Sequence, residues 1–213
     1  MKLQLALDVY DTPQALSLLE KLADVVDIVE IGTPMIIREG LRAVEAVKKA
    51  YPSLTVLADA KIMDGGRFEA ECAFEAGADI VTVLAVAEDA TVLNVVDAAR
   101  KHGRKVLADM IAVRNLEERA AALDGFGLDY LCVHTAFDIQ ETGKSPLDEL
   151  RRIKAVLKRS EAAVAGGVKL ATLPDIAAQQ PAIIVVGMGI TGQPDPRDMA
   201  EKMKNVLKGA RIS

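Results

Sequence analysis

The chain has 213 residues, of which 51% are apolar, and its formal net charge is −5. This length fits one barrel or α/β domain, and we expect a single domain over residues 1–213. The negative charge, the absence of Trp and an aromatic content of 3% exclude a basic or base-stacking surface for nucleic acid.

The chain begins with "MKLQLALDVYD", an apolar stretch too short for a secretory signal, and we interpret it as the first strand. No later apolar run reaches the length of a membrane span. Cys72 and Cys132 lack metal-type spacing, which predicts buried thiols in a reducing compartment. The sequence therefore predicts a cytoplasmic protein that acts on small molecules.

Short apolar runs then alternate with longer amphipathic segments. Each run is rich in Val, Ile, Leu and Ala and is bounded by charge or Gly, as parallel strands buried on both faces are. We predict strands at residues 3–8, 27–32, 55–61, 79–84, 105–111, 129–135, 162–167 and 182–189.

The segments between the strands carry helix signals. Thr12 and Thr33 each precede a proline, which predicts a Thr N-cap with Pro in the first turn; the second pattern runs on until Pro52. Glycines in "EAGAD", "KHGRK" and "GFGLDY" are placed to take left-handed conformations after helices. Eight strand–helix units, with no obvious common motif, predict a (β/α)₈ TIM barrel. The alternative, a doubly wound sheet, usually has fewer strands.

Polar residues recur at the carboxyl ends of these strands, where barrels place their chemistry. A buried charge needs a partner or a metal, so several charges at one end of a barrel indicate a site. The candidates at or near strand ends are Asp8, Glu30, Asp59, Lys61, Asp109 and His134.

Taken singly, these residues also have structural interpretations. Asp8 could cap the first helix, and Glu30 could form an ion pair with Lys61. Asp109 could support only Lys61 or a backbone group, and His134 could be a core histidine with satisfied hydrogen bonds. Asp64, which precedes Gly65 and Gly66, could turn the chain into the next helix. Their joint placement favours a site.

Two glycine pairs follow the last two strands: Gly166 and Gly167 in "AVAGGV", and Gly187 and Gly189 in "VVGMGITG". Residues without side chains let an anion approach backbone N–H groups, and barrels often bind phosphate at these two loops. Tight turns are the alternative. The pairs predict a phosphate-binding site and hence a small phosphate ester as substrate.

The motif "DAKIMDGG" contains the D-x-K-x-x-D pattern of the orotidine 5′-monophosphate decarboxylase superfamily. Together with "VEIGTP", "LADMI", "VHT" and "AVAGGV", the chain resembles the 3-hexulose-6-phosphate synthase branch from about residue 3 to residue 205. The resemblance implies the same phosphate-binding barrel that the strand pattern predicts.

Two features separate the branches of this superfamily. The nucleotide decarboxylases are metal-free and carry lysine where this chain has Glu30, whereas Glu30 beside Asp59 offers two oxygen ligands for Mg²⁺. The 3-keto-L-gulonate-6-phosphate decarboxylases carry arginines in an "HRSRD"-like segment and in the last phosphate loop. Here those segments are "HTAFD" and "GMGITGQ", which favours the synthases, although Phe137 replaces the small or aliphatic residue more usual in them.

The resemblance implies a reversible aldol addition of formaldehyde to D-ribulose 5-phosphate through an enediolate. It assigns Glu30 and Asp59 to Mg²⁺ and Lys61 to the developing oxyanion, and we take His134 as the candidate base. Asp8 and Asp64 would hold sugar hydroxyls and keep Lys61 protonated. The superfamily's D-x-K-x-x-D loop lies at a dimer interface, which implies a homodimer in which Asp64 reaches across.

Three other functions stay open at this point. A ketogulonate-phosphate decarboxylase would share the enediolate and the metal. A ribulose-phosphate 3-epimerase would need paired histidines around its metal, and the chain has two histidines, one of them, His102, at a helix end. A scaffold protein would have little reason to gather these charges at one site.

Overall fold

The computed structural model describes residues 1–8, 11–142 and 145–210 as a closed barrel of eight parallel strands in the order of the chain. The predicted TIM barrel is therefore confirmed. The strands are β1 (Lys2–Leu7), β2 (Ile28–Ile31), β3 (Thr55–Ile62), β4 (Ile80–Leu84), β5 (Lys105–Asp109), β6 (Tyr130–His134), β7 (Glu161–Ala165) and β8 (Ile183–Val186).

Helices follow the strands and form the outer layer of the barrel. They are α1 (Thr12–Leu22), α2 (Thr33–Glu39), α3 (Arg42–Ala50), α4 (Gly66–Glu75), α5 (Asp89–His102), α6 (Leu116–Asp124), α7 (Leu147–Val156), α8 (Leu173–Ala178), α9 (Met188–Thr191) and α10 (Pro196–Gly209). A 3₁₀ helix, Phe137–Thr142, lies between β6 and α7. No helix in the described part of the chain is long and apolar enough to cross a membrane.

Residue alternation along the strands divides the core into two parts. Residues such as Leu3, Leu5 and Leu7 of β1 face outward into the layer between strands and helices. The interior cluster comprises Ala6, Ile28, Leu57, Ile80, Leu107, Tyr130, Cys132, Ala163, Ala165, Ile183 and Val185. The same alternation aims the strand-end polar residues into the barrel.

The helix ends correct three details of the sequence prediction. The N-cap of α1 is Asp11, not Thr12, whose hydroxyl hydrogen-bonds Glu39 instead. The N-cap of α2 is Gly32, not Thr33, whose hydroxyl hydrogen-bonds Asp59. Gly40 adopts a φ of 67° and divides the predicted second helix into α2 and α3. Of the glycines predicted to be left-handed after helices, Gly77, Gly103 and Gly127 have positive φ, whereas Gly125, which directly follows α6, has a φ of −75°.

A repeated contact closes the amino-terminal end of the barrel. In three successive strand pairs, an Asp before the even-numbered strand accepts the backbone N–H of a residue in the preceding strand. The pairs are Asp27 with Leu3, Asp79 with Val56, and Asp129 with Val106.

Asp124, at the end of α6, holds the loop that enters β7. Its buried carboxylate accepts the backbone N–H groups of Lys158, Arg159 and Ser160 at 2.7–3.0 Å. Burial alone would raise the pKa of Asp124, but these three donors outweigh it, so the pKa lies below its ordinary value.

We expect Asp124→Asn to lower the free energy of unfolding by about 1–3 kcal/mol, because an amide replaces the buried, charged acceptor of three backbone N–H groups. Urea unfolding followed by circular dichroism measures the loss. The lowered pKa means that the stabilisation is present above the ordinary carboxyl pKa and fades as the pH falls through the lowered one. If the wild type still exceeded Asp124→Asn in free energy of unfolding by the same amount in strong acid, this account would be contradicted.

Candidate active site

Three carboxyl groups lie inside the carboxyl-terminal end of the barrel, which we call the mouth. Glu30, Asp59 and Asp109 are 8%, 5% and 4% exposed, on β2, β3 and β5 respectively. Buried charges are rare unless they are paired or bind a metal. The structure thus brings together the acidic residues that the sequence predicted at strand ends.

The end of β3 is irregular, and this irregularity sets the position of Lys61. Pairing with β4 shifts register between Ala58 and Ile62, and Lys61 has a φ of 46°, uncommon for a residue with a side chain. Its backbone N–H donates to Thr82 Oγ1 at 2.9 Å. Asp59 and Lys61 therefore meet through a bulge and not, as predicted, through regular strand alternation.

Asp59 is held by groups from three elements. Thr33 Oγ1, at the start of α2, donates to Asp59 Oδ2 at 2.8 Å, and Thr82 Oγ1 of β4 donates to Asp59 Oδ1 at 2.8 Å. Lys61 Nζ also donates to Oδ2. A carboxylate can accept about four hydrogen bonds or ligand contacts in all. Asp59 is consequently fixed in orientation while it keeps capacity for a further contact.

Lys61 bridges two carboxylates. Besides the ion pair with Asp59, its Nζ lies 3.5 Å from Asp109 Oδ2. Burial lowers the pKa of Lys61, but Asp59 and Asp109 more than offset this, and the pKa is raised above its ordinary value. Lys61 is therefore an ammonium ion at neutral pH. Its ion pairs are with Asp59 and Asp109 and not with Glu30, the partner that the sequence left open.

His134, at the end of β6, contacts Asp109, the second carboxylate that Lys61 bridges. Its Nδ1 lies 2.8 Å from Asp109 Oδ2. Burial would raise the pKa of Asp109, but His134 and Lys61 bring it below its ordinary value, so Asp109 is a carboxylate and can only accept. Nδ1 must then carry the hydrogen, which leaves Nε2 of the neutral ring as the basic nitrogen.

Glu30 is held by a residue that the sequence analysis missed. Gln4 of β1 donates through Nε2 to Glu30 Oε2 at 2.5 Å. Burial and the negative charges of Asp59 and Asp8 raise the pKa of Glu30 well above its ordinary value. The signal for Gln4 was its even position on β1, which places it in line with Ala6 and Asp8 on the inner face.

The donor set fits a hard divalent cation bound with few protein ligands. Glu30 and Asp59 offer carboxylate oxygens, and Mg²⁺ commonly takes one or two carboxylates with the remaining ligands from water and substrate. Burial is the main cause of the raised pKa of Glu30, and the charges of Asp59 and Asp8 add to it; a cation would relieve this repulsion between the carboxylates. Within residues 1–8, 11–142 and 145–210, no group of three or more His, Cys, Asp or Glu side chains is arranged to hold a metal alone.

Asp8 and Asp64 are placed differently from each other. Asp8 lies at the rim, where a Cβ on Gly32 would overlap its carboxylate, and desolvation followed by the charge of Asp59 raises its pKa. Asp8 does not cap α1. Asp64 is exposed on the loop after β3, and its Oδ1 accepts the N–H of Gly65. Asp8 and Asp64 were expected to keep Lys61 protonated, but the negative charges that chiefly raise the pKa of Lys61 are those of Asp59 and Asp109.

The four predicted phosphate-loop glycines follow β7 and β8. Gly166 and Gly167 have φ values of 92° and 68°, and a Cβ on Gly166 would collide with the backbone oxygen of Thr135. Gly187 is the N-cap of α9, and a Cβ on Gly189 would come within 2.6 Å of Val168 O. A side chain at Gly166 or Gly189 would therefore meet protein backbone, so packing alone requires glycine at these two positions, and the phosphate-binding role of the loops stays a prediction.

The two cysteines take no part in a disulfide. Cys132 is buried inside the barrel as expected, whereas Cys72 on α4 is half-buried.

A closed parallel barrel with carboxylates, an ammonium group and an imidazole at its mouth defines a (β/α)₈-barrel enzyme. The model of the orotidine 5′-phosphate decarboxylase / HUMPS family matches residues 1–203, and the chain belongs to this family.

Comparisons with individual proteins agree with this assignment. A 3-hexulose-6-phosphate synthase of Bacillus subtilis is 49% identical over 207 residues, which cover 97% of this chain and 99% of that protein. The crystal structure of 3-hexulose-6-phosphate synthase from Salmonella typhimurium is 45% identical, with a TM-score of 0.97 over 99% of this chain and 100% of that one. These matches confirm the resemblance inferred from the sequence.

A more distant structure shares the fold alone. The 3-keto-L-gulonate-6-phosphate decarboxylase of Vibrio cholerae is 24% identical, with a TM-score of 0.87 over 98% of this chain and 97% of that one.

Proposed function

We propose that the protein catalyses the reversible aldol addition of formaldehyde to D-ribulose 5-phosphate, which gives D-arabino-hex-3-ulose 6-phosphate. The proposal rests above all on the full-length similarity to relatives named 3-hexulose-6-phosphate synthase. The connected series Asp59–Lys61–Asp109–His134 at the mouth supports it, because such a series suits proton removal beside a carbonyl.

The metal part of the proposal assigns Glu30 and Asp59 to a divalent cation, with Mg²⁺ the best fit to two carboxylates. When bound, this cation supplies Lewis-acid stabilisation of negative charge on the substrate's oxygens. The protein's own part is to hold both carboxylates in fixed orientations, through Gln4 on one side and through Thr33 and Thr82 on the other.

The proton chemistry falls to His134, Asp109 and Lys61. Nε2 of His134 takes the proton from carbon 1 of the ketose, and Asp109 stabilises the imidazolium that results. Lys61 places its ammonium group beside the oxygen that gains charge as the enediolate forms. Carbon 1 then bonds to the carbon of formaldehyde, and the imidazolium returns its proton to the new alkoxide. Asp8, at the rim, would accept a hydrogen bond from a sugar hydroxyl.

The glycine loops supply the anchor for the 5-phosphate. The first N–H groups of a helix have no intrahelical partner, and those of Met188 and Gly189 open α9 just after β8. Together with the N–H groups of Gly166 and Gly167 they can receive a phosphate from two neighbouring loops. D-ribulose without its phosphate should accordingly be a poor substrate.

We also propose that the enzyme is a homodimer in which Asp64 completes the partner's site. Large apolar side chains are exposed beside the mouth, Ile37 on α2 at 81% and Phe68 on α4 at 74%, and Met63 adjoins Asp64. Exposed apolar clusters of this kind commonly mark protein interfaces.

Mixing two inactive variants tests this arrangement. If Asp64 acts across the interface, unfolded and refolded mixtures of Asp64→Asn and His134→Ala should regain about a quarter of the wild-type sites, because half the dimers are mixed and one site in each is intact. Each variant refolded alone is the control. A mixture as inactive as its components would show that Asp64 acts within its own subunit.

Formaldehyde consumption tests the reaction itself. Purified protein with ribulose 5-phosphate should consume formaldehyde with Mg²⁺ and should stop with excess chelator. Release of carbon dioxide from 3-keto-L-gulonate 6-phosphate, with no loss of formaldehyde, would instead place the protein among the decarboxylases of the same family. Inactivity in both assays would overturn the substrate assignment.

A further inference from the structure

We propose that Gln4 is the positioning residue for Glu30, and that it sets the affinity of the mouth for a divalent cation. This inference rests on the proposed metal site and deepens it. It concerns a residue one layer below the mouth, whose side chain is 1% exposed.

Gln4 is a polar exception at its level of the barrel. Its register partners on the flanking strands are Ile28 of β2 and Val185 of β8, both in the apolar interior cluster. Gln4 is only 1% exposed, so it gains nothing from solvent. Leucine would satisfy the packing at this position as well as its neighbours do, which means that packing does not account for an amide here.

The amide has one strong contact and one unsatisfied atom. Nε2 donates to Glu30 Oε2 at 2.5 Å, whereas Oε1 has no hydrogen-bond partner among the described residues. A buried polar atom without a partner is costly, and such atoms in native proteins call for an explanation. The hydrogen bond to Glu30 is the contact that accounts for an amide at this position.

The contact fixes one oxygen of Glu30 and leaves the other available. Glu30 lies two residues nearer the mouth than Gln4, because the register partner of Glu30 on β1 is Ala6. With Oε2 tied to Gln4, Oε1 remains for a cation between β2 and β3, where Asp59 is held in the same way by Thr33 and Thr82. Ligating carboxylates are commonly oriented by hydrogen bonds of this kind.

A neutral donor suits this role better than a charged one. Glu30, Asp59, Asp8 and Asp109 already place four carboxyl groups at or near the mouth, with Lys61 paired to two of them. A lysine at position 4 would neutralise Glu30 and compete with the cation, whereas an amide orients the carboxylate and leaves its charge for the metal.

Binding of Mn²⁺ alone, followed by the electron paramagnetic resonance of the free ion, tests the inference without any activity assay. We expect Gln4→Leu to weaken the Mn²⁺ affinity of the full-length protein about 10- to 100-fold, the usual effect of losing such a hydrogen bond. The matched control is Ser160→Ala, which removes another buried side-chain hydrogen bond, from Ser160 Oγ to Leu128 O far from the mouth. It should bind Mn²⁺ as the wild type does.

The outcomes distinguish a failure of the role of Gln4 from a failure of the proposed metal site. If wild type binds Mn²⁺ and folded Gln4→Leu binds it within twofold, Gln4 has no positioning role. If wild type binds no Mn²⁺, the metal proposal falls and this inference falls with it. Should Gln4→Leu fail to fold, Gln4→Asn, whose amide is one methylene too short to keep the contact, takes its place with the same expected loss.

Discussion

His134→Asn is expected to lower kcat for formaldehyde consumption by about 10²- to 10⁴-fold, the range that removal of a general base usually produces. The reason lies in the geometry of the ring. Asp109 accepts the hydrogen of Nδ1, which makes Nε2 the basic nitrogen at the mouth. Asparagine keeps a polar group of similar reach but has no basic nitrogen. Steady-state kinetics with ribulose 5-phosphate saturating measures the loss.

The second histidine supplies the control. His102 ends α5 and packs its ring against Phe74, with 5.6 Å between the ring centroids, on the outer surface of the barrel. His102→Asn should leave kcat within about twofold of wild type, since surface substitutions away from a site have small effects. An His134→Asn enzyme as active as the His102→Asn enzyme would remove His134 from the proton transfer.

Lys61→Met is expected to lower kcat by about 10²- to 10³-fold, the usual cost of losing one group that stabilises an oxyanion. Methionine keeps much of the length of the side chain and loses the ammonium group. The loss should appear mainly in kcat, because the charge that Lys61 stabilises develops only as the proton leaves carbon 1. Its removal also leaves Asp59 and Asp109 without their shared counter-ion, so the melting temperature must be measured alongside.

Lys105→Met is the matched control for this substitution. Lys105 begins β5 at the opposite end of the barrel, where its Nζ contacts Tyr130 Oη at 3.2 Å, and its loss should leave kcat nearly unchanged. Borohydride added with ribulose 5-phosphate should trap no covalent adduct on Lys61, because its raised pKa keeps the amine protonated and unable to attack a carbonyl. A trapped adduct, or an unaffected kcat in Lys61→Met, would contradict the assigned role.

The sequence was sufficient to predict the fold and most of the mouth. Parallel strands buried on both faces leave a recognisable apolar pattern, and residues at their carboxyl ends must converge once the barrel closes. Asp59, Asp109 and His134 follow from this rule because each lies on the inward-facing parity of its strand. Glu30 follows from the same rule on β2.

Other features depend on contacts that a linear pattern does not contain. The bulge at Lys61 arises where the backbone N–H bonds to Thr82 on the next strand, and no residue within β3 signals it. Thr33 was interpreted as a cap because Thr before Pro is typical of one, yet its hydroxyl holds Asp59. Gln4 was overlooked inside an apolar run, although its parity with Asp8 placed it on the inner face.

The most direct test of the proposed mechanism is exchange of the carbon-1 proton of ribulose 5-phosphate in deuterium oxide, followed by NMR without formaldehyde. If His134, Lys61 and the Glu30–Asp59 pair together convert the substrate to an enediolate, the wild-type protein with Mg²⁺ should exchange one proton at carbon 1. Addition of chelator, or the substitution His134→Asn, should abolish the exchange. Formaldehyde consumption at full rate by a protein that never exchanges this proton in its absence would contradict an enediolate formed before formaldehyde reacts.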